Sequence, residues 1–139
     1  MVHGKFNKTI KGELEKMIKF KEVKAELVEE LREIAEEFKY MSSYARTEET
    51  TKIMDELKQA LIETTDSVLE YNLIEFNNNW QWLKYALVDL ENAIHEEQNE
   101  AEKRGRKSPS LNKLNKSFMD VYTFQVWNID RLTNQPVIN

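Results

Sequence analysis

Apolar residues recur along the first third of the chain at intervals of three or four positions, which is the spacing of one face of an α-helix. Between Ile10 and Ala45 no interval departs from this spacing, and no proline interrupts it. The pattern predicts one long helix over residues 10–45 with a continuous buried face. The apolar positions of this face are Ile10, Leu14, Met17, Phe20, Val23, Leu27, Leu31, Ile34, Phe38, Met41 and Ala45.

Polar residues after this face mark a short connection to a second helix. Ser42, Ser43 and Thr47 are loop and N-cap candidates, and Glu48 and Glu49 suit the positive end of the helix that follows. Because the connection is only a few residues long, the first two helices are expected to pack antiparallel as a hairpin.

The sequence leaves two possibilities for the end of the second helix. Asn77–Asn79 are poor helix formers that cap well, so a third helix is predicted to begin near Trp80. Apolar residues nevertheless keep the three–four spacing on both sides of the asparagines. The alternative is one continuous helix over residues 48–103.

The clearest boundary precedes the last helix. Gly105 ends the preceding helix, Ser108 is an N-cap candidate, and Pro109 occupies the first helical position, where its missing N–H group costs nothing. Residues 134–139 are expected to form a loose tail. Together these elements predict an all-α, up-down bundle of about four helices in a single domain over residues 1–139. The last apolar face comprises Leu111, Leu114, Phe118, Val121, Tyr122 and Ile129.

Composition narrows the class of protein. Hydrophobic residues make up 40% and charged residues 32% of the chain, a balance typical of folded domains. Three glycines and two prolines are too few for the turns of an all-β fold, and the absence of cysteine excludes disulfide frameworks and thiolate metal sites. No apolar run approaches the ~20 residues of a membrane-spanning helix. We therefore expect no membrane partner and, by default, a cytoplasmic location.

Charge is distributed unevenly along the chain. Residues 25–102 have a net charge of −14, whereas residues 103–116 contain six cations and no acid. We expect a basic loop over residues 103–110 that makes secondary contacts or, in an alternative function, forms a phosphate- or nucleic-acid-binding module. The other interpretation is a solvated loop whose cations face the negative end of a helix. The cations are Lys103, Arg104, Arg106, Lys107, Lys113 and Lys116.

Aromatic residues exceed what one small core requires. Trp80 lies on the predicted core face of its helix, which turns Trp82 and Tyr85 to the opposite side. Phe124 and Trp127 likewise point away from the apolar face of the last helix. These four exposed side chains predict a second apolar surface and are the candidate interface anchors. In the alternative, the domain buries the rings itself, with the C-terminal tail covering them.

Two acidic motifs on successive helices suggest a different function. Residues 29–33, EELRE, resemble the EExxE element of the MazG-like all-α nucleotide pyrophosphatases, and residues 63–66, ETTD, resemble the ExxD element of that family. The resemblance implies a Mg²⁺ site that holds a nucleoside triphosphate for attack by a metal-activated water. The other interpretation is a solvated acidic helix face. The implied ligands are Glu29, Glu30, Glu33, Glu63 and Asp66.

The sequence favours a binding protein over an enzyme. It contains neither a glycine-rich phosphate loop nor a recognisable Ser–His–acid arrangement. We expect no catalytic residue and no cofactor, Mg²⁺ entering only with the pyrophosphatase alternative. The predicted function is a self-associating helical protein-interaction module that acts as a regulator, inhibitor or assembly component. A homodimer is the first expectation, because a two-fold assembly needs only one self-complementary surface. A protein partner is also expected, and nucleic acid is a minor alternative.

Overall fold

The protein is helical throughout the part that the structure describes. The structure, a computed structural model, describes the backbone of residues 2–134 and the side chains of residues 11–134. No strand occurs in this part of the chain, which confirms the all-α class. Of the predicted tail, only Asn134 lies within it. The helices are α1 (Val2–Glu22), α2 (Lys24–Tyr44), α3 (Glu48–Leu69), α4 (Leu73–Lys103), α5 (Pro109–Asp120), a π-helical segment (Val121–Val126) and α6 (Trp127–Thr133).

The predicted count of about four helices is not confirmed, because the described residues form five helical rods. α5, the π-helical segment and α6 follow one another without a break and are called the last helix below. The additional rod arises at Val23, whose ψ of 5° lies outside the α-helical range and separates α1 from α2. Phe20 is buried, but Leu14 and Met17 before it are 53% and 43% exposed. The expectation of a buried face that begins at Ile10 is therefore wrong for these two residues.

The boundary predicted at Asn77–Asn79 lies instead at Tyr71. Tyr71 has a left-handed φ of 56°, and the N–H group of Asn72 donates to the carbonyl of Ser67 at 2.9 Å, as in a Schellman motif. The Asn72 side chain then caps α4. The three asparagines lie inside α4, where the Asn79 amide donates to the Ser67 hydroxyl at 2.8 Å. The alternative of one continuous helix is wrong for the same reason.

The predicted start of α3, end of α4 and start of α5 are confirmed. The Thr47 hydroxyl caps α3 by accepting from the N–H group of Thr50 at 3.1 Å. Gly105 has φ 65° just beyond the end of α4, in the left-handed region that favours glycine. Ser108 caps the helix that begins with Pro109. Each of these signals acts within a few residues, which is why sequence alone identifies it.

Helices α2 to α5 surround one core. α2 contacts α3, α3 contacts α4, α4 contacts α5, and α5 in turn contacts α2. The Thr47 hydroxyl at the start of α3 donates to Glu97 near the end of α4 at 2.7 Å, so these helices run antiparallel. The Ser117 hydroxyl of α5 donates to Glu37 of α2 at 2.5 Å. No helix in the described range is long and apolar enough to cross a membrane. Fully buried aromatic side chains in the core are Phe38, Phe76, Trp80 and Phe118.

The π-helical segment determines which residues of the last helix enter the core. In an uninterrupted α-helix Gln125, seven residues after Phe118, would share its buried face. The wider turn instead brings Val126 into the core and directs Gln125 to α2, where its Nε2 donates to Glu33 at 3.2 Å. An apolar side chain thus replaces an amide in the interior.

A buried ion pair joins α4 to α6. Lys84 and Asp130 are 2% and 0% exposed, and the Lys84 Nζ lies 3.0 Å from Asp130 Oδ1. The indole N–H of Trp80 donates to the same oxygen at 2.8 Å. Because a buried carboxylate is costly without such donors, these two bonds fix the register of α6 against α4.

Removing one partner of this pair should destabilise the protein strongly. Lys84→Met leaves the Asp130 carboxylate buried without its cation, and we expect the free energy of unfolding at pH 7 to fall by about 3 kcal/mol. Adding Asp130→Asn should restore most of the loss, because the amide oxygen still accepts from Trp80. Urea unfolding followed by circular dichroism measures both variants. A double variant as unstable as the single one would assign the loss to packing instead of charge.

Glu30 is a partly buried acid between α2 and the last helix. Its pKa lies above the ordinary glutamate value, chiefly because burial disfavours the charged form and secondly because Glu33 is nearby. A hydrogen bond with Asn128 and the charge of Arg131 act in the opposite direction. Since the folded-state pKa is raised, the charged carboxylate reduces stability above that pKa, and the cost disappears as the carboxyl is protonated.

Glu30→Gln should therefore raise the melting temperature at pH 7, because the amide resembles the protonated acid. The gain should vanish near pH ~3.5, where Glu30 is mostly protonated in the folded and unfolded chains alike. Thermal unfolding at the two pH values checks this, with Glu56→Gln, at an exposed position on α3, as the matched control. A gain that is as large at acid pH as at neutral pH would contradict the assignment.

Candidate functional site

The four predicted interface anchors lie exposed on two neighbouring helices. On α4, Trp82 is 69% and Tyr85 is 53% exposed, and on the last helix Phe124 is 57% and Trp127 is 48% exposed. We call these four side chains the aromatic surface. Trp80, in contrast, is completely buried, in agreement with its place on the core face. The core is therefore formed without two of the three indole rings.

The bonds of Asp130 set the relative height of the two halves of the aromatic surface. Asp130, near the end of the last helix, is bonded to Trp80 and Lys84, near the start of α4. The start of the last helix lines a cleft with the end of α4, so the two helices run antiparallel. Trp127, about one turn before Asp130, therefore lies level with the turn of α4 that contains Tyr85. The two pairs of rings therefore lie at similar heights on neighbouring helices.

The rings make defined contacts at the surface. Trp82 and Tyr85 pack edge to face with centroids 6.4 Å apart, and the Arg131 guanidinium lies 5.6 Å from the Trp127 ring. An aromatic side chain has ~150–250 Å² to bury, so four half-exposed rings leave on the order of 400 Å² of mostly apolar area in water. Contiguous exposed patches of a few hundred Å² are often functional, and each pair of rings supplies about half of this area.

Three charged side chains of this region were not predicted as part of the site. Arg131 follows Trp127 by four residues, which is the spacing of neighbours on a helix surface, and this signal could have identified it. Asp130 follows the core residue Ile129 directly, and Lys84 directly follows a core leucine. Two residues of opposite charge, each next to a core position in the sequence, were the signal from which the buried pair could have been predicted.

Cations of the basic loop lie next to acidic side chains. Arg104 is ion-paired with Glu100 at 3.8 Å, with both side chains exposed. Arg106 and Lys107 line an open cleft of about 520 Å³ near the end of α4. The cleft therefore has mixed charge. The acidic residues that line it are Glu49, Glu96, Glu97 and Glu100.

The other three predicted cations lie at the end of α4 and between α2 and α5. Lys103 is exposed at the last position of α4. The Lys113 ammonium lies 5.3 Å from the Tyr44 ring, and Lys116 lines a groove between α2 and α5 that also contains Glu37. The structure thus places Lys113 and Lys116 away from the cleft that the loop cations line.

The structure does not bring the two acidic motifs together. On α2, Glu30 and Glu33 face the last helix, and Glu33 accepts a hydrogen bond from Gln125. On α3, Glu63 is exposed and accepts a hydrogen bond from Gln59 of the same helix at 3.3 Å. Within residues 11–134, no group of three or more histidine, aspartate or glutamate side chains is arranged to hold a metal ion. The other two implied ligands, both exposed, are Glu29 and Asp66.

Comparison with known proteins leaves the functional interpretation to the site itself. The aromatic surface is a feature of the described residues that departs from an ordinary solvated helix face. No protein-family model, no curated protein and no solved structure matches this chain.

Proposed function

We propose that the protein is a non-enzymatic helical interaction module that self-associates through the aromatic surface. The observation that supports this most directly is the exposure of four large aromatic side chains, each 48–69%, beside a core that is already complete. The scaffold in this proposal is an up-down four-helix bundle of α2 to α5, to which α1 is added. The module would act in the cytoplasm as a regulator, inhibitor or assembly component.

The chemistry of the surface favours protein as its partner. Tryptophan and tyrosine are the side chains that most often dominate the binding energy of protein interfaces, because they remove a large area from water with little loss of rotamer freedom. Trp82 and Tyr85 already pack edge to face, which lowers the ordering cost of binding for these two rings. Such a cluster suits the centre of an interface, surrounded by a polar rim.

A second copy of the chain is the partner that requires the fewest assumptions. A two-fold dimer uses the same surface on both subunits, so one aromatic surface supplies both sides of the contact. Stacking and edge-to-face contacts between rings are favourable in several geometries, which makes an aromatic surface readily self-complementary.

Replacing the tryptophans should convert the dimer to monomer. Light scattering coupled to size exclusion should give the wild type twice the chain mass of 16.6 kDa. Trp82→Ala and Trp127→Ala should each weaken the dimer by about 30-fold or more, the effect of losing a central anchor of about 2 kcal/mol.

Leu14→Ala is the matched control for these variants. Leu14 is 53% exposed on α1, a helix that contains none of the four rings, so its replacement should leave the dimer unchanged. Circular dichroism should show wild-type helicity in all three variants. A wild type that stays at the chain mass over the whole concentration range would refute self-association.

A further inference from the structure

On the outward face of the last helix, the side chains follow the order acid, aromatic, aromatic, cation. Two copies of this face that run in opposite directions are therefore complementary to each other. Asp120, Phe124, Trp127 and Arg131 follow one another at intervals of four, three and four residues. An acid and a cation thus flank two aromatic residues symmetrically about a point between Gln125 and the residue after it. When two such helices lie antiparallel about this point, the phenylalanine of one helix is level with the tryptophan of the other, and the acid of one is level with the cation of the other.

The structure makes the two charges available for such a contact. Arg131 is exposed and lies against the Trp127 ring. Asp120, about one turn before Phe124, is partly exposed at the edge of the groove between α2 and α5. Neither charge has an ion-pair partner within residues 11–134. Arg131 influences Glu30 at longer range, without forming an ion pair with it.

We propose that two copies of the chain pair their last helices antiparallel, so that Asp120 of each chain binds Arg131 of the partner subunit. This inference rests on the proposed self-association and specifies its geometry. The aromatic rings form the centre of the contact, and the two symmetry-related ion pairs form its rim, no more than ~8 Å from the two-fold axis, since the π-helical segment advances less per residue than the 1.5 Å of an α-helix. The turn of α4 that contains Tyr85 lies at about the height of this axis, because the bonds of Asp130 set the height of α4 relative to the last helix.

The charges discriminate this arrangement from a parallel one. A parallel pair would place Asp120 opposite Asp120 and Arg131 opposite Arg131, which is repulsive at both positions. The antiparallel pair is attractive at both. The direction of pairing is therefore set by the charged rim, whereas the rings supply most of the affinity.

Charge reversal tests the ion pairs. Asp120→Arg and Arg131→Asp should each weaken the dimer about tenfold, because two rim attractions become repulsions. The double variant Asp120→Arg/Arg131→Asp should return to wild-type affinity, since the pairs are restored with exchanged signs. Asp55→Arg, at an exposed position on α3, changes the net charge as Asp120→Arg does and should have no such effect. Single variants that dimerise like the wild type would overturn the proposal.

Cysteine cross-linking tests the direction independently, since the chain has no cysteine of its own. Differently tagged Asp120→Cys and Arg131→Cys chains, mixed and treated with a short thiol cross-linker, should form a mixed covalent dimer. Asp120→Cys alone should not cross-link to itself, and neither should Ile62→Cys.

The outcomes separate the two proposals. Self-cross-linking of Asp120→Cys would overturn the antiparallel geometry and leave self-association standing. A wild-type dimer in light scattering without any cross-linking at these positions would likewise overturn it. A wild type that is monomeric in light scattering would refute self-association and, with it, the geometry proposed here.

Discussion

The Asp130 carboxylate is the contact on which the position of the last helix depends. It is completely buried, and its donors, the Lys84 ammonium and the Trp80 indole, lie one turn apart on α4. A shift of α6 by one turn would leave a desolvated carboxylate without these donors, which costs far more than the loss of an ordinary apolar contact. The register of the two helices, and with it the common height of the aromatic rings, follows from this pair.

The features that could be predicted from sequence are those with a local cause. Ser108 and Pro109 start a helix by their own chemistry, and Gly105 ends one because glycine adopts left-handed φ at little cost. The end of α3 was missed because a tyrosine, Tyr71, takes the left-handed conformation without a glycine to signal it. The division at Val23 was missed because the apolar period is the same on both sides of it.

The candidate site divides in the same way. The exposure of Trp82 and Tyr85 follows from the core face of their own helix, so helical periodicity alone locates them. The pairing of Lys84 with Asp130 joins residues 46 positions apart, and periodicity contains no information about which helices meet. The acidic motifs show the same limit of sequence spacing. Their spacing resembles that of a metal site, but in the packed helices the carboxylates make different contacts and do not converge within residues 11–134.

The division at Val23 also gives the molecule unequal local stability. Between residues 11 and 22, α1 has one fully anchored side chain, Phe20, whose ring centroid lies 5.2 Å from that of Phe76, while Leu14 and Ile18 remain more than half exposed. The free energy that holds this helix in place is therefore a small part of the free energy that holds the core. We therefore expect its amide hydrogens to exchange with solvent through detachment of α1 alone, whereas those of α4 require unfolding of the whole domain.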